Sequence, residues 1–256
     1  MIVGDLADQP VRLTADACDV GTPALDEVVD DLVVFVSIDR IDGPGRTLAF
    51  AGPCVLRDQG RGLPVVGTVT VDSADLSRLV TNGGAVDVVA HELGHVLGFG
   101  TVWRDLAGAP GGTPLVRDLT FPTSRFVGAG ARAASAILGY SAEADGVPLE
   151  TGGGGGTRDA HWAEARFGTE LMTGFYNAGA TNPLSLVTVR SLADLGYATT
   201  DLGADPTSVV ETTPGAGPAF GLLRSVLAAP LTREAWDVVR TPVLGVGADG
   251  VVRPRR

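Results

Sequence analysis

Residues 91–98 read His-Glu-Leu-Gly-His-Val-Leu-Gly, and this H-E-x-x-H-x-x-G run constrains the chain more than any other feature. On a helix, residues four apart stack on one face, one turn apart, so both imidazoles can reach a single metal ion. The surrounding residues supply that helix: after Gly83-Gly84, the apolar positions Val86, Val89, Ala90, Leu93 and Leu97 recur at helical spacing. Asp87 falls in the first turn, where the helix dipole favours negative charge. Gly98 is placed to end the helix in the left-handed conformation and to turn the chain beneath the site, so that a later ligand can approach.

The histidine count sharpens the pattern. The chain has 3 histidines, His91, His95 and His161. A catalytic zinc site uses three protein ligands and leaves a fourth position open, with imidazole nitrogens at about 2.0–2.1 Å. Glu92 stands beside the first histidine, where a carboxylate can act on water at the metal. The H-E-x-x-H spacing is the zinc-peptidase signature. His161 taken alone reads as an ordinary polar or core residue. It lies, however, in the segment Asp159-Ala160-His161-Trp162-Ala163-Glu164, and Glu170-Leu171-Met172-Thr173-Gly174 follows shortly after it. Met172 taken alone is a core methionine.

The longer signature H-E-x-x-H-x-x-G-x-x-H followed by a Met-turn belongs to the metzincins. The chain follows it through Gly98 and then departs, with Thr101 where the third histidine would stand. A large insertion ahead of a late third histidine resembles the leishmanolysin family of metzincins. Asp42-Gly43-Pro44-Gly45, Asn182-Pro183-Leu184-Ser185 and Leu192-Ala193-Asp194-Leu195-Gly196-Tyr197 also resemble stretches of bacterial leishmanolysin-like proteins, and the resemblance runs over about residues 3–205.

That resemblance implies one zinc ion held by His91, His95 and His161, with Glu92 as general base, Met172 beneath the metal and Gly98 at the turn. It implies an α+β zincin/metzincin fold: a twisted mixed sheet with the active-site helix in an upper lobe, about 1–98, and a mostly irregular and helical lower lobe, about 99–205. Residues 206–256 form a C-terminal extension to which it assigns no role. The implied activity is a zinc-dependent endopeptidase acting on peptide or protein substrates. A catalytically silent zinc-bound scaffold and a zinc hydrolase of non-peptide substrates are the alternatives, and the intact Glu92 argues against the first. Tyr176 and Tyr197 are candidate transition-state donors by residue type alone, and each also reads as structural. The outer nitrogens of the histidines should donate to a carboxylate or carbonyl, for which Asp87 and Asp159 are near in sequence.

Family relatives are largely exported, which implies a secreted or cell-surface protein. It also implies a helix and an export signal ahead of Met1. The start Met1-Ile2-Val3-Gly4-Asp5 carries no signal peptide and, read alone, indicates the cytoplasm. Cys18 and Cys54 are an even pair, consistent with one disulfide in an oxidising compartment or with two unpaired buried thiols. Hydrophobic residues at 45% and charged residues at 19% describe a globular chain. A net charge of −11 without a single lysine argues against nucleic-acid binding. Apolar runs such as 32–36 are far too short to span a bilayer.

Along the chain, residues 32–38 read as a buried strand, 65–71 as a second strand and 48–51 as an edge strand. Ser73 is placed to cap a short helix over 74–79. Residues 101–119 read as loop, 129–138 and 184–195 as helices, and the glycine run 152–156 as a flexible loop that lets His161 approach. Residues 214–218 read as a linker, and 222–229 and 233–239 as short helices.

Overall fold

The computed structural model describes residues 1–104, 114–117, 123–139, 145–205, 233–235, 237–240, 242 and 244–255. A hairpin of β1 (Gln9–Leu13) and β2 (Leu25–Val29) opens the chain, followed by β3 (Val33–Asp39), β4 (Ala49–Arg57) and β5 (Pro64–Asp72). Two helices come next, α1 (Ser73–Asn82) and α2 (Ala85–Val96). A small antiparallel sheet follows, built from β6 (Val116–Arg117), β7 (Arg125–Phe126) and β8 (Val147–Pro148), with α3 (Ala129–Ile137) between its last two strands. The single turn α4 (Glu164–Phe167), β9 (Phe175–Asn177) and α5 (Leu186–Leu195) complete the middle of the chain. Four short strands end it: β10 (Arg233–Ala235), β11 (Asp237–Val239), β12 (Leu244–Val246) and β13 (Val252–Pro254).

The main sheet is mixed, so the protein is α+β. β5 lies between β3, to which it is parallel, and β4, to which it is antiparallel. The far edge of β4 takes β11 and β12 in parallel, and β13 closes on β12. Position in the sheet decides burial. Every residue of β5 is buried, as its run of β-branched residues requires of a strand covered on both sides. The stretch 32–38, expected to be buried, is instead the outer strand β3, and Val36 and Ile38 are more than half exposed. With only one neighbour, β3 cannot be covered as β5 is. The opposite correction applies to 48–51. That stretch is the start of a nine-residue interior strand, β4, which runs on through Gly52-Pro53. Proline cannot donate to a ladder, and the register shifts just beyond Pro53 accommodate it.

Two more expectations change. Asp72, not Ser73, caps α1, accepting from the Ala74 N–H at 2.8 Å. Residues 233–239 form β10 and β11 rather than a helix, because β9 and the open edge of β4 offer partners for their backbones. The expected linker at 214–218 and helix at 222–229 lie outside the described residues.

Cys18 is joined to Cys54 with a Cα–Cα distance of 5.4 Å, tying the hairpin to β4. Closing a loop of this length contributes about 3–4 kcal/mol in the chain-entropy account. A smaller core of Val11, Leu13, Val29, Val55, Val65 and Val246 surrounds this joint. The larger core lies between the main sheet and α2 and extends through Phe99, Trp103, Phe126, Trp162 and Phe167 to α5. Among the described residues, no helix is long and apolar enough to cross a membrane.

Candidate metal centre

α2 packs across β4 and β5, seated where Gly67 of β5 leaves room for Val96. A Cβ at Gly67 would come within 3 Å of that valine's side chain. This packing buries one face of α2, and His91, Glu92 and His95 all have zero exposure. The helix ends at Leu97, and Gly98 follows with φ +106°, in the left-handed region that a side chain resists. The chain then folds back so that the Phe99 carbonyl accepts from His95 Nδ1 at 2.9 Å.

His161 arrives from the far side of the glycine run. Its strand-like segment is held between two others: Glu150 N–H donates to the His161 carbonyl at 2.8 Å, and Trp162 N–H donates to the Met172 carbonyl at 3.0 Å. The Trp162 indole donates to Thr188 Oγ1 of α5 at 2.8 Å, which fixes the segment from below. Gly100 permits the close pass, since a Cβ there would collide with the Ala160 carbonyl.

The three histidines converge. Nε2 of His95 lies 3.0 Å from Nε2 of His91 and 3.0 Å from that of His161, and the remaining pair is 3.2 Å apart. The other ring nitrogens are all engaged: His91 Nδ1 on the Leu171 carbonyl at 2.6 Å, His95 Nδ1 on Phe99 and His161 Nδ1 on the Thr157 carbonyl at 2.8 Å. A carbonyl only accepts, so each Nδ1 carries the proton and each Nε2 of a neutral ring presents a lone pair. Three lone pairs held face to face repel unless a cation lies among them. Bonds of about 2.0–2.1 Å at tetrahedral angles separate three nitrogens by about 3.3 Å, close to what is found. The three residues could hold a metal ion.

Met172 sits against the helix between the two α2 histidines: a Cβ at Gly94 would lie 2.7 Å from its terminal methyl. The turn that places it is closed by Thr173 N–H donating to the Glu170 carbonyl at 3.1 Å. Glu170, which motif reading passed over, organises this turn from a fully buried position. Its carboxylate accepts from Met172 N–H at 2.5 Å, from Ser185 N–H at 3.1 Å, from Ser185 Oγ at 2.8 Å and from Thr188 Oγ1. Burial pushes the Glu170 carboxyl up, against these hydrogen bonds, which favour the charge. The signal for it in the sequence was only its place two residues before Met172.

The remaining expected positions fall elsewhere. Asp87 accepts from Asn182 Nδ2 at 2.9 Å, and Asp159 faces Arg104 at 3.6 Å. Carbonyls, not these carboxylates, therefore orient the imidazoles. Tyr197 donates to the Leu97 carbonyl at 2.9 Å at the end of α2, and burial pushes its phenol up. Tyr176 is buried beside Gly84 at the start of α2.

The buried trio of imidazoles, two on the H-E-x-x-H helix and one on a later irregular segment, is a candidate metal site. The Leishmanolysin peptidase family model matches residues 19–210, and the chain belongs to that family. It is 27% identical over 237 residues to the protein named Leishmanolysin from Leishmania major, a match covering 87% of this chain and 37% of that relative. The chain thus spans little more than a third of the length of the curated relative it matches.

Proposed function

We propose that the chain is a zinc-dependent endopeptidase acting on peptide or protein substrates, with His91, His95 and His161 as the ligands of one catalytic zinc. The observation that carries this reading is the convergence of three Nε2 atoms at 3.0–3.2 Å with every Nδ1 tied to a backbone carbonyl. A bound zinc supplies Lewis acidity toward water and a scissile carbonyl. Glu92, on the same buried turn of α2 as the first histidine, takes the proton from the attacking water and passes it to the leaving amine. The three carbonyls keep the imidazoles in the ligating tautomer and limit ring rotation. Met172 and its turn form the floor beneath the ligands, in the role of a Met-turn, and Gly98 lets the chain pass below.

In this reading β1 to β5 with α1 and α2 form the upper lobe, about 1–98, and residues 99–205 form the lower lobe. The disulfide between Cys18 and Cys54 accords with export to the surface or medium. The test is metal analysis of the purified chain and of His161→Ala, with hydrolysis of a protein panel with and without a chelator. One zinc per chain, lost at limiting metal in His161→Ala, and chelator-sensitive cleavage are expected. A mutant with full zinc occupancy would remove His161 from the ligand set. Zinc without cleavage would leave a silent scaffold, and cleavage of non-peptide esters alone would leave a different hydrolase.

A further inference from the structure

A peptidase that reads an extended substrate needs a free strand edge beside its reactive centre, because main-chain pairing supplies much of the binding. Two backbone edges belong to elements joined to those that carry the site. One is the outer edge of β4, the strand across which α2 packs. The other is β9, which begins three residues beyond Met172. Both are already taken by the chain's own C-terminal segment. Arg233–Ala235 pair with Phe175–Asn177, and after one intervening residue Asp237–Val239 pair with Ala49–Ala51. Leu244–Val246 then continue along the same edge of β4, opposite Val55–Arg57. His91, Glu92, His95 and His161 have zero exposure.

The crossing is fastened at Arg240. Its N–H donates to the Ala51 carbonyl at 2.9 Å, its guanidinium pairs with the Asp19 carboxylate, and it lies 5.6 Å from the centre of the Phe50 ring. Gly52 makes room for it, since a Cβ there would collide with the Arg240 carbonyl. The fastening is modest. Both members of the ion pair are about one-third exposed, and such pairs contribute little. Strands of three residues pair over few hydrogen bonds.

We propose that β10 and β11 are an internal occupant of the substrate edge, so that the chain is latent until this strap is displaced. The proposal rests on the peptidase reading above. Displacement frees the facing edges of β4 and β9 for an extended peptide and opens the trio to solvent, with no covalent step.

The test compares the parent chain with Arg240→Pro, which removes the N–H and the guanidinium together, and with Gly52→Val, which crowds the crossing. In the zinc-loaded chains, both variants should cleave an unfolded protein such as casein and release zinc to excess chelator roughly tenfold faster, the effect of losing one or two net hydrogen bonds. In the metal-free chains, amide exchange at Ala49–Ala51 and Phe175–Asn177 should accelerate by a similar factor while β5 is unchanged. Unchanged exchange and unchanged zinc release would overturn the strap and make these strands a fixed part of the sheet. Equal acceleration in β5 would overturn it too, since the whole sheet would then be opening. Accelerated exchange confined to the two edges, in a chain that neither binds zinc nor cleaves, would uphold the strap and defeat the peptidase reading.

Discussion

Two stretches build the candidate metal centre, and they satisfy their backbones in opposite ways. α2 closes its own hydrogen bonds, so the backbone placement of its two histidines and Glu92 is set by helical geometry. The stretch that supplies His161 and Met172 has almost no regular structure and relies on side-chain carboxylates for what a helix does internally. Glu150 accepts from the N–H groups of Thr151 at 2.9 Å, Gly152 at 2.8 Å and Glu164 at 3.1 Å, while Glu170 gathers Met172, Ser185 and Thr188. Even α3 borrows its cap from a distance, with Asp194 of α5 accepting from Gly130 and Ala131. Where the backbone is irregular, buried amides must find acceptors, and a carboxylate can serve several at once. One half of the site is therefore modular, and the other depends on carboxylates outside the histidine trio.

The largest effect should separate chemistry from architecture. Glu92→Gln should lose turnover by about 10²–10⁴-fold, the usual worth of a general base, with zinc content and thermal stability unchanged. Metal analysis, calorimetry and kinetics on one preparation check this. Lost zinc or a fallen melting temperature would mean that Glu92 is structural in the way Glu170 is, and the contrast between the two stretches would fail.

The complementary change should cost stability first. Glu170→Ala strands several buried donors, at about 3 kcal/mol in total when a large part finds no new partner. It should also weaken zinc binding although it touches no ligand, since Met172 and the Leu171 carbonyl lose their support. Denaturant melts and chelator competition measure both effects. A melt within error of the parent would show that the turn is held by its other contacts.

The smallest effect lies on the regular side. Burial works against charge on Asp72, but N–H groups of Ala74, Asp42, Gly43 and Ile41 outweigh it and hold the carboxyl below its ordinary value. Asp72→Ala should cost about 1 kcal/mol at neutral pH, the worth of a helix cap. Because the folded-state pKa is depressed, this contribution is complete above the ordinary carboxylate range. It shrinks as pH falls below about 4 toward the folded value. A difference between parent and variant that stayed constant into acid would contradict the depressed pKa.

How much of this was legible beforehand follows the same division. α2, α3 and α5 were readable because helical periodicity is local. The assignment of His91 and His95 to one face needed no partner. The strand at 32–38 was found, yet its burial was misjudged, since alternation says nothing about which strand ends at an edge. β4 was cut short at Gly52-Pro53 because a proline reads as a break until a neighbouring strand shows where the ladder shifts. The strands at 233–239 looked helical for lack of any sign that β4 had an open edge.

The sequence by itself determined that His91 and His95 share one helical face with Glu92 beside the first of them, because a four-residue spacing on an amphipathic helix has one geometric outcome. It also pointed to His161 and Met172, through the family pattern rather than through any local rule. Only the tertiary structure decided that the imidazoles are oriented by the carbonyls of Leu171, Phe99 and Thr157, that Cys18 meets Cys54, that Glu170 holds the turn and that the C-terminal strands close the edge of β4. Each of these joins residues far apart in the chain, and long-range pairing is set by which faces and edges remain open once the local elements have packed.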